Sequence, residues 1–181
     1  MWCGNQLITM NKDTHYKKLE KIVINVGTGR LSAQPNFNDK LLPELTRELS
    51  IITGQKPAFR PAKKSIAGFK LRTGTVVGLK TTLRKARMNE FLQKLINSAL
   101  PRVRDFRGIN PNAIDESGNL TIGIKEHLVF PELNPETSKA NFGMEITLVP
   151  KLREKEKAVE LYKTIGIPFS KQEEPVFKKR K

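Results

Sequence analysis

The sequence predicts an α+β fold, a mainly antiparallel sheet with helices packed on one face. Three observations point there. Short stretches alternate apolar and polar residues, and three longer stretches repeat apolar residues at helical spacing. Their order is strand, helix, strand, long basic loop, strand, helix, two strands, helix, with the loop expected between two central strands. Helices gathered on one face leave the other free for a partner. At 181 residues the chain is expected to form one compact domain, large enough to bury a core without disulfides or metal.

In "LEKIVINVGTGR", Ile22, Ile24 and Val26 point one way and Lys21, Val23 and Asn25 the other, a half-buried strand ending in a glycine turn. "NDKLLPELTRELSIITGQKP" spaces Leu41, Leu42, Leu45, Leu49 and Ile52 as one helical stripe, with Asn38 or Asp39 as the expected cap and Gly54 as the stop. Pro43 fits only the first turn. "KPAFRPAK" is extended, and its prolines suit an edge strand. The glycine-containing basic stretch follows, then "VVGLKTTLR" as a strand. "KARMNEFLQKLINSALP" puts Met88, Phe91, Leu92, Leu95, Ile96 and Ala99 on one stripe, stopped by Pro101. "LTIGIKEHLVF" and "GMEITLVP" are strands, the second with Met144, Ile146 and Leu148 on one face. "REKEKAVELYKTIG" is a last helix closed by Gly166 and Pro168. The tail "SKQEEPVFKKRK" has no periodicity and is expected to be disordered.

Charge narrows the function. The net charge is +15. Between Leu49 and Asn89 lie ten cations (Lys56, Arg60, Lys63, Lys64, Lys70, Arg72, Lys80, Arg84, Lys85 and Arg87) and no acid, whereas Ile109 to Ser170 carries seven basic and nine acidic residues. The molecule therefore has a basic side, the signature of a polyanion partner. A basic amphipathic helix for a membrane surface is ruled out by Gly68, Gly74 and Gly78. No apolar run approaches the ~20 residues of a membrane span, and the first ten residues are too short and lightly charged for a signal peptide. Cys3, the only cysteine, forms no intrachain disulfide or cysteine cluster and suits a reducing compartment.

Chemistry-bearing motifs are sparse. Gly27 and Gly29 in "VINVGTGR" match G-x-G, but Ser32 stands at the third glycine position, no P-loop lysine follows, and the next helix begins about ten residues later. A tight turn explains them better than a nucleotide. His15 and His127 have no cysteine or carboxylate pair at ligand spacing, and Asp115 and Glu116 sit in the turn composition "DESGN". No catalytic site, metal, cofactor or small-molecule substrate is expected. Nucleic acid remains, with Arg102, Arg104 and Arg107 in "PRVRDFRG" adding to it and Phe106 either stacking on a base or anchoring its loop. RNA is favoured over DNA, since no recognition-helix or zinc-finger pattern occurs. If about six side chains meet phosphates, affinity falls by about three decades between 50 and 200 mM salt.

The segments "EKIVINVGTG", "ITGQKP", "AKKSIAGFKLRTG", "VGLKTTLR", "PRVRDFRG" and "FPE" occur in the order of the bacterial large-subunit ribosomal protein family that binds 5S RNA, the L-five family, and the chain resembles that family from Leu19 to Phe169. The resemblance implies an RRM-like, L-five-like sheet. It implies a structural, non-catalytic part of the large subunit that helps attach 5S rRNA in the central protuberance, in a cytoplasmic or an organellar ribosome. By motif match, Asn25, Gly27, Gln55, Lys56, Lys63, Lys64 and Ser65 are implied rRNA contacts. Arg102, Arg104 and Arg107 are implied either as contacts or as fixing the local fold. The loop from Ile66 to Val77, with Gly68, Phe69, Lys70, Arg72 and Gly74, is implied to reach the P-site tRNA. A small-subunit head protein is implied as a further partner, near residues 109 to 150. The alternatives are a free-standing RNA chaperone or regulator, or a nucleotide-dependent enzyme. Three departures stand out: a shortened N-terminal segment over residues 1–18, Thr75 and Val76 where relatives carry an aromatic-proline pair at the loop tip, and a basic extension over residues 170–181.

Overall fold

The computed structural model describes residues 18–33, 36–69, 71–136, 138 and 141–170. The expectations for residues 1–17, for 171–181 and for Lys70 fall outside them. Five strands, β1 (Leu19–Gly27), β2 (Ala58–Pro61), β3 (Val76–Leu83), β4 (Leu120–Ile124) and β5 (Met144–Pro150), form one antiparallel sheet in the order β2-β3-β1-β5-β4. The predicted class holds, with one correction. The basic loop joins the edge strand β2 to its neighbour β3, not two central strands, because the central place belongs to β1. Pro57 precedes β2 and Pro61 ends it, and both lack the N–H that a further strand would need, which suits a sheet edge.

Alternation decides the two faces. Ile22, Ile24 and Val26 of β1 are buried, as are Leu79 and Leu83 of β3 and Met144, Ile146 and Leu148 of β5. They meet the apolar stripes of helices α1 (Leu42–Thr53), α2 (Lys85–Lys94) and α3 (Lys155–Ile165) in one core. Each fully buried leucine or isoleucine there contributes about 1.5–3 kcal/mol. The residues between them in β1, Val23 and Asn25, face away from the helices and are half-buried.

Helix boundaries depart from the sequence reading at two places. The chain turns helical at Phe37, two residues earlier than an Asn38 cap allows and three earlier than an Asp39 cap. A wide turn over Phe37–Leu41 follows Asn36, whose φ of 64° is left-handed and whose side chain caps nothing. The buried Phe37 explains the earlier start, since the wide turn seats its ring in the core. Pro43 lies in the first turn of α1 and Gly54 closes it at φ 70°. At the other boundary, Pro101 does not stop the second helical run. After a wide turn over Leu95–Ala99, helical geometry resumes over Leu100–Arg102 with Pro101 in a first turn, where its missing N–H costs least. The predicted strand "LTIGIKEHLVF" also ends early, at Ile124, and a 3₁₀ turn covers His127–Val129.

Polar ties lock the layers. The buried Tyr162 hydroxyl of α3 lies 2.9 Å from the Gly118 carbonyl and 3.0 Å from that of Leu148, and burial pushes its pKa well above the ordinary phenol value. Lys94 of α2 donates to the Ile52 carbonyl at 3.2 Å and pairs with Glu132 at 2.8 Å, joining two helices to the loop after β4. His127, in that loop, stacks on Phe142 at 4.0 Å and sits 3.2 Å from Glu48 of α1.

Candidate nucleic-acid interface

The face of the sheet turned from the helices carries the predicted first contact. Asn25 lies between Lys80 of β3 and Glu145 of β5 in the antiparallel register. Its amide donates to Glu145 Oε2 at 3.4 Å, a long and exposed bond. Two residues on, Gly27 pairs with Gly78, and Gly78 pairs with Arg60 of the edge strand. Beyond Glu145, Gly123 of β4 completes the row. Asn25, Gly27, Gly78, Glu145 and Gly123 line a shallow groove of about 720 Å³ across the sheet, with Arg60 toward one edge and Lys125 toward the other. A Cβ on Gly27 or Gly123 would meet nothing within 4 Å, so no packing within the chain explains their bareness.

At the other end of the same edge, Gln55 follows the left-handed Gly54. Its amide donates to the Thr82 carbonyl at 2.9 Å, and its oxygen accepts from Arg87 at 3.3 Å. Gln55 is thus half-buried and fixed, while Lys56 beside it is exposed and makes no side-chain bond among the described residues. The motif therefore divides into a structural and a free residue.

Between β2 and β3 the chain projects as an arm. Ala62 is buried, and its N–H donates to the Thr75 carbonyl at 2.8 Å while Gly74 N–H returns to Ala62 at 3.0 Å. Farther out, Ile66 and Leu71 exchange bonds of 2.9 and 3.1 Å. Lys63, Lys64 and Ser65 sit exposed between these rungs, and Phe69, 80% exposed, lies past the second. Two expectations are corrected here. Val76 and Val77 belong to β3, so the arm runs from Ala62 to Thr75 rather than from Ile66 to Val77. Thr75 and Val76 are at its base, not its tip, because both are held in the ladder opposite Ala62 and Pro61. Phe69 is the aromatic group that the arm presents.

Arg102, Arg104 and Arg107 are exposed but lie off the sheet, on the segment that leaves the second helical run. Val103 and Phe106 between them are half-buried against the core, so Phe106 anchors its loop. Asp105 at φ 56° and Gly108 at φ 101° bend the chain back. Ile109 then bonds to Pro168 and Ser170. The "DESGN" residues form the expected turn, with Asp115 accepting from Asn119 at 2.7 and 2.8 Å. Lys125 and Glu145 were not singled out from the sequence, and Arg60 and Lys80 only as members of the basic run. The cross-strand register brings Arg60, Lys125 and Glu145 to one groove and sets Lys80 opposite Asn25.

A cationic antiparallel face with a projecting basic arm is the kind of surface that suits a folded polyanion such as RNA. The comparisons agree. A family model described as ribosomal protein L5 matches residues 17–72, and the model of the family's C-terminus matches residues 76–169. The chain is 51% identical over 154 residues to the large ribosomal subunit protein uL5 of Oceanobacillus iheyensis, covering 85% of this chain and 84% of that one. It is 50% identical over 154 residues to uL5 of Alkaliphilus oremlandii (85% and 84%) and 47% over 153 residues to uL5 of Halothermothrix orenii (84% and 83%). The chain belongs to the ribosomal protein L5 family. It is a structural constituent of the large ribosomal subunit, with large-subunit ribosomal RNA as its partner, and not an enzyme.

Proposed function

We propose that this protein binds 5S rRNA through its open sheet face and the loops at the β2 edge, and helps attach that RNA in the central protuberance. The domain responsible spans residues 19–169. The observation that carries the reading is the arrangement of Asn25, Lys80 and Arg60 on a bare face beside the exposed Lys56, Lys63 and Lys64. No acid from Leu49 to Asn89 opposes them. In the same reading, Phe69 and Arg72 on the arm reach the P-site tRNA. A small-subunit head protein meets the side near residues 109 to 150.

The two roles separate by mutation. Lys56→Ala with Lys63→Ala and Lys64→Ala is expected to weaken 5S binding by at least tenfold at 150 mM salt, as loss of about three phosphate contacts requires. Phe69→Ala with Arg72→Ala is expected to spare 5S affinity and disturb tRNA placement in assembled ribosomes. Filter binding and tRNA footprinting read the two effects, and an equal loss of 5S affinity in both variants refutes the division.

A further inference from the structure

Glu145 poses a specific problem on this face. A carboxylate on the same face as Lys80, Arg60 and Lys125 opposes phosphate binding, so electrostatics alone disfavours it there. Stability does not account for it either. Its one side-chain bond, from Asn25, is 3.4 Å long and exposed, and it forms no ion pair among the described residues. A cross-strand pair of that kind contributes at most about 1 kcal/mol. What the carboxylate does offer is an acceptor with two oxygens, beside an amide, over a floor kept bare at Gly27 and Gly123.

Building on the 5S-binding reading above, we propose that this groove takes one unpaired guanine base of the bound RNA. The base lies over the glycine floor, where the missing side chains let a flat ring approach the backbone. Its N1–H and N2–H donate to the two Glu145 oxygens, and its O6 accepts from the Asn25 amide, which exchanges its long bond to Glu145 for one to the base. Other bases fit less well. Uracil and cytosine do not present two adjacent donors, and adenine offers only its N6 amino group. Arg60 and Lys125 stand on opposite outer strands, about 19 Å apart at a strand spacing of ~4.8 Å. That span is about three nucleotides of extended strand, so they are placed for phosphates of the nucleotides that flank the bound base. Glu145 is then a specificity residue, and Lys80 offsets its charge.

The sign of one substitution tests this. Glu145→Gln keeps the shape and removes the negative charge. Simple electrostatics predicts tighter binding to 5S RNA, whereas guanine recognition predicts weaker binding, by about tenfold or more. Filter binding of the full chain to transcribed 5S RNA decides, with thermal melts of both proteins as the folding control. Tighter or unchanged binding overturns the proposal. A second measurement needs no variant. 5S transcripts lightly doped with inosine, which lacks the N2 amino group, are selected for binding to the parent protein. Exclusion of inosine at a single-stranded position is expected, and uniform tolerance refutes the guanine assignment while leaving 5S binding intact. If the parent does not prefer 5S RNA to an unrelated RNA of equal length, the 5S reading and this one both fail.

Discussion

The Ser65 hydroxyl accepts a hydrogen bond from the Thr73 N–H at 3.0 Å and lies 2.9 Å from the Thr73 hydroxyl. These bonds close the arm between its two backbone rungs, so a residue matched as an RNA contact also sets the arm's shape. Ser65→Ala removes both. Because the site is exposed, global stability is expected to change by less than about 1 kcal/mol. Local opening is expected to rise, with hydrogen exchange at the Thr73 amide severalfold faster in the variant. Unchanged exchange would mean that the backbone rungs alone hold the arm.

Gly108 has the most demanding backbone site among the described glycines. Its φ is 101°, and a Cβ there would lie 2.5 Å from the Ser170 nitrogen and 2.6 Å from the Phe169 carbonyl carbon. Neither backbone atom can yield without breaking the bonds between Ile109 and residues 168 and 170. Gly108→Ala is expected to cost about 2–4 kcal/mol in urea denaturation. The expected loss in RNA binding follows stability, because the arginines nearby are held by this junction.

His127 gives the protein a defined acid sensitivity. Burial pushes its pKa below the ordinary value of 6.5, outweighing the pull of Glu48 toward the charged form. The geometry agrees, for the ring's Nδ1 accepts the Phe142 N–H at 3.4 Å and so carries no proton of its own. The unfolded chain thus binds protons at a higher pH than the folded one. The stabilisation is complete above about pH 6.5 and declines as pH falls below it toward the depressed folded value. Melting temperature is expected to drop over that window. The drop should be shallower in a His127→Gln variant, which is itself less stable at neutral pH because Glu48 loses its partner.

Much of this architecture was legible in the sequence because its periods are clean. Ile22, Ile24 and Val26 could be assigned to the core by alternation alone, and Gly54 and Gly166 ended their helices as their αL conformations require. The helical start differs from the one the stripe implies because Phe37, which precedes the stripe, carries core contacts through a wide turn that no 3.6-residue period describes. The arm was set too far along the chain because strand pairing extends to Val76, a fact about the Pro61 partner and not about Val76 itself. The groove was invisible for the same reason. Asn25, Glu145 and Lys80 are far apart in sequence, and only register makes them neighbours.

Hydroxyl-radical footprinting of the purified protein on 5S rRNA tests an RNA grip built from the open face and the β2 edge. A contiguous patch of protected sugars is predicted, weakened when Lys56, Lys63 and Lys64 are replaced by alanine. No protection, or a footprint that those substitutions leave unaltered, would contradict it.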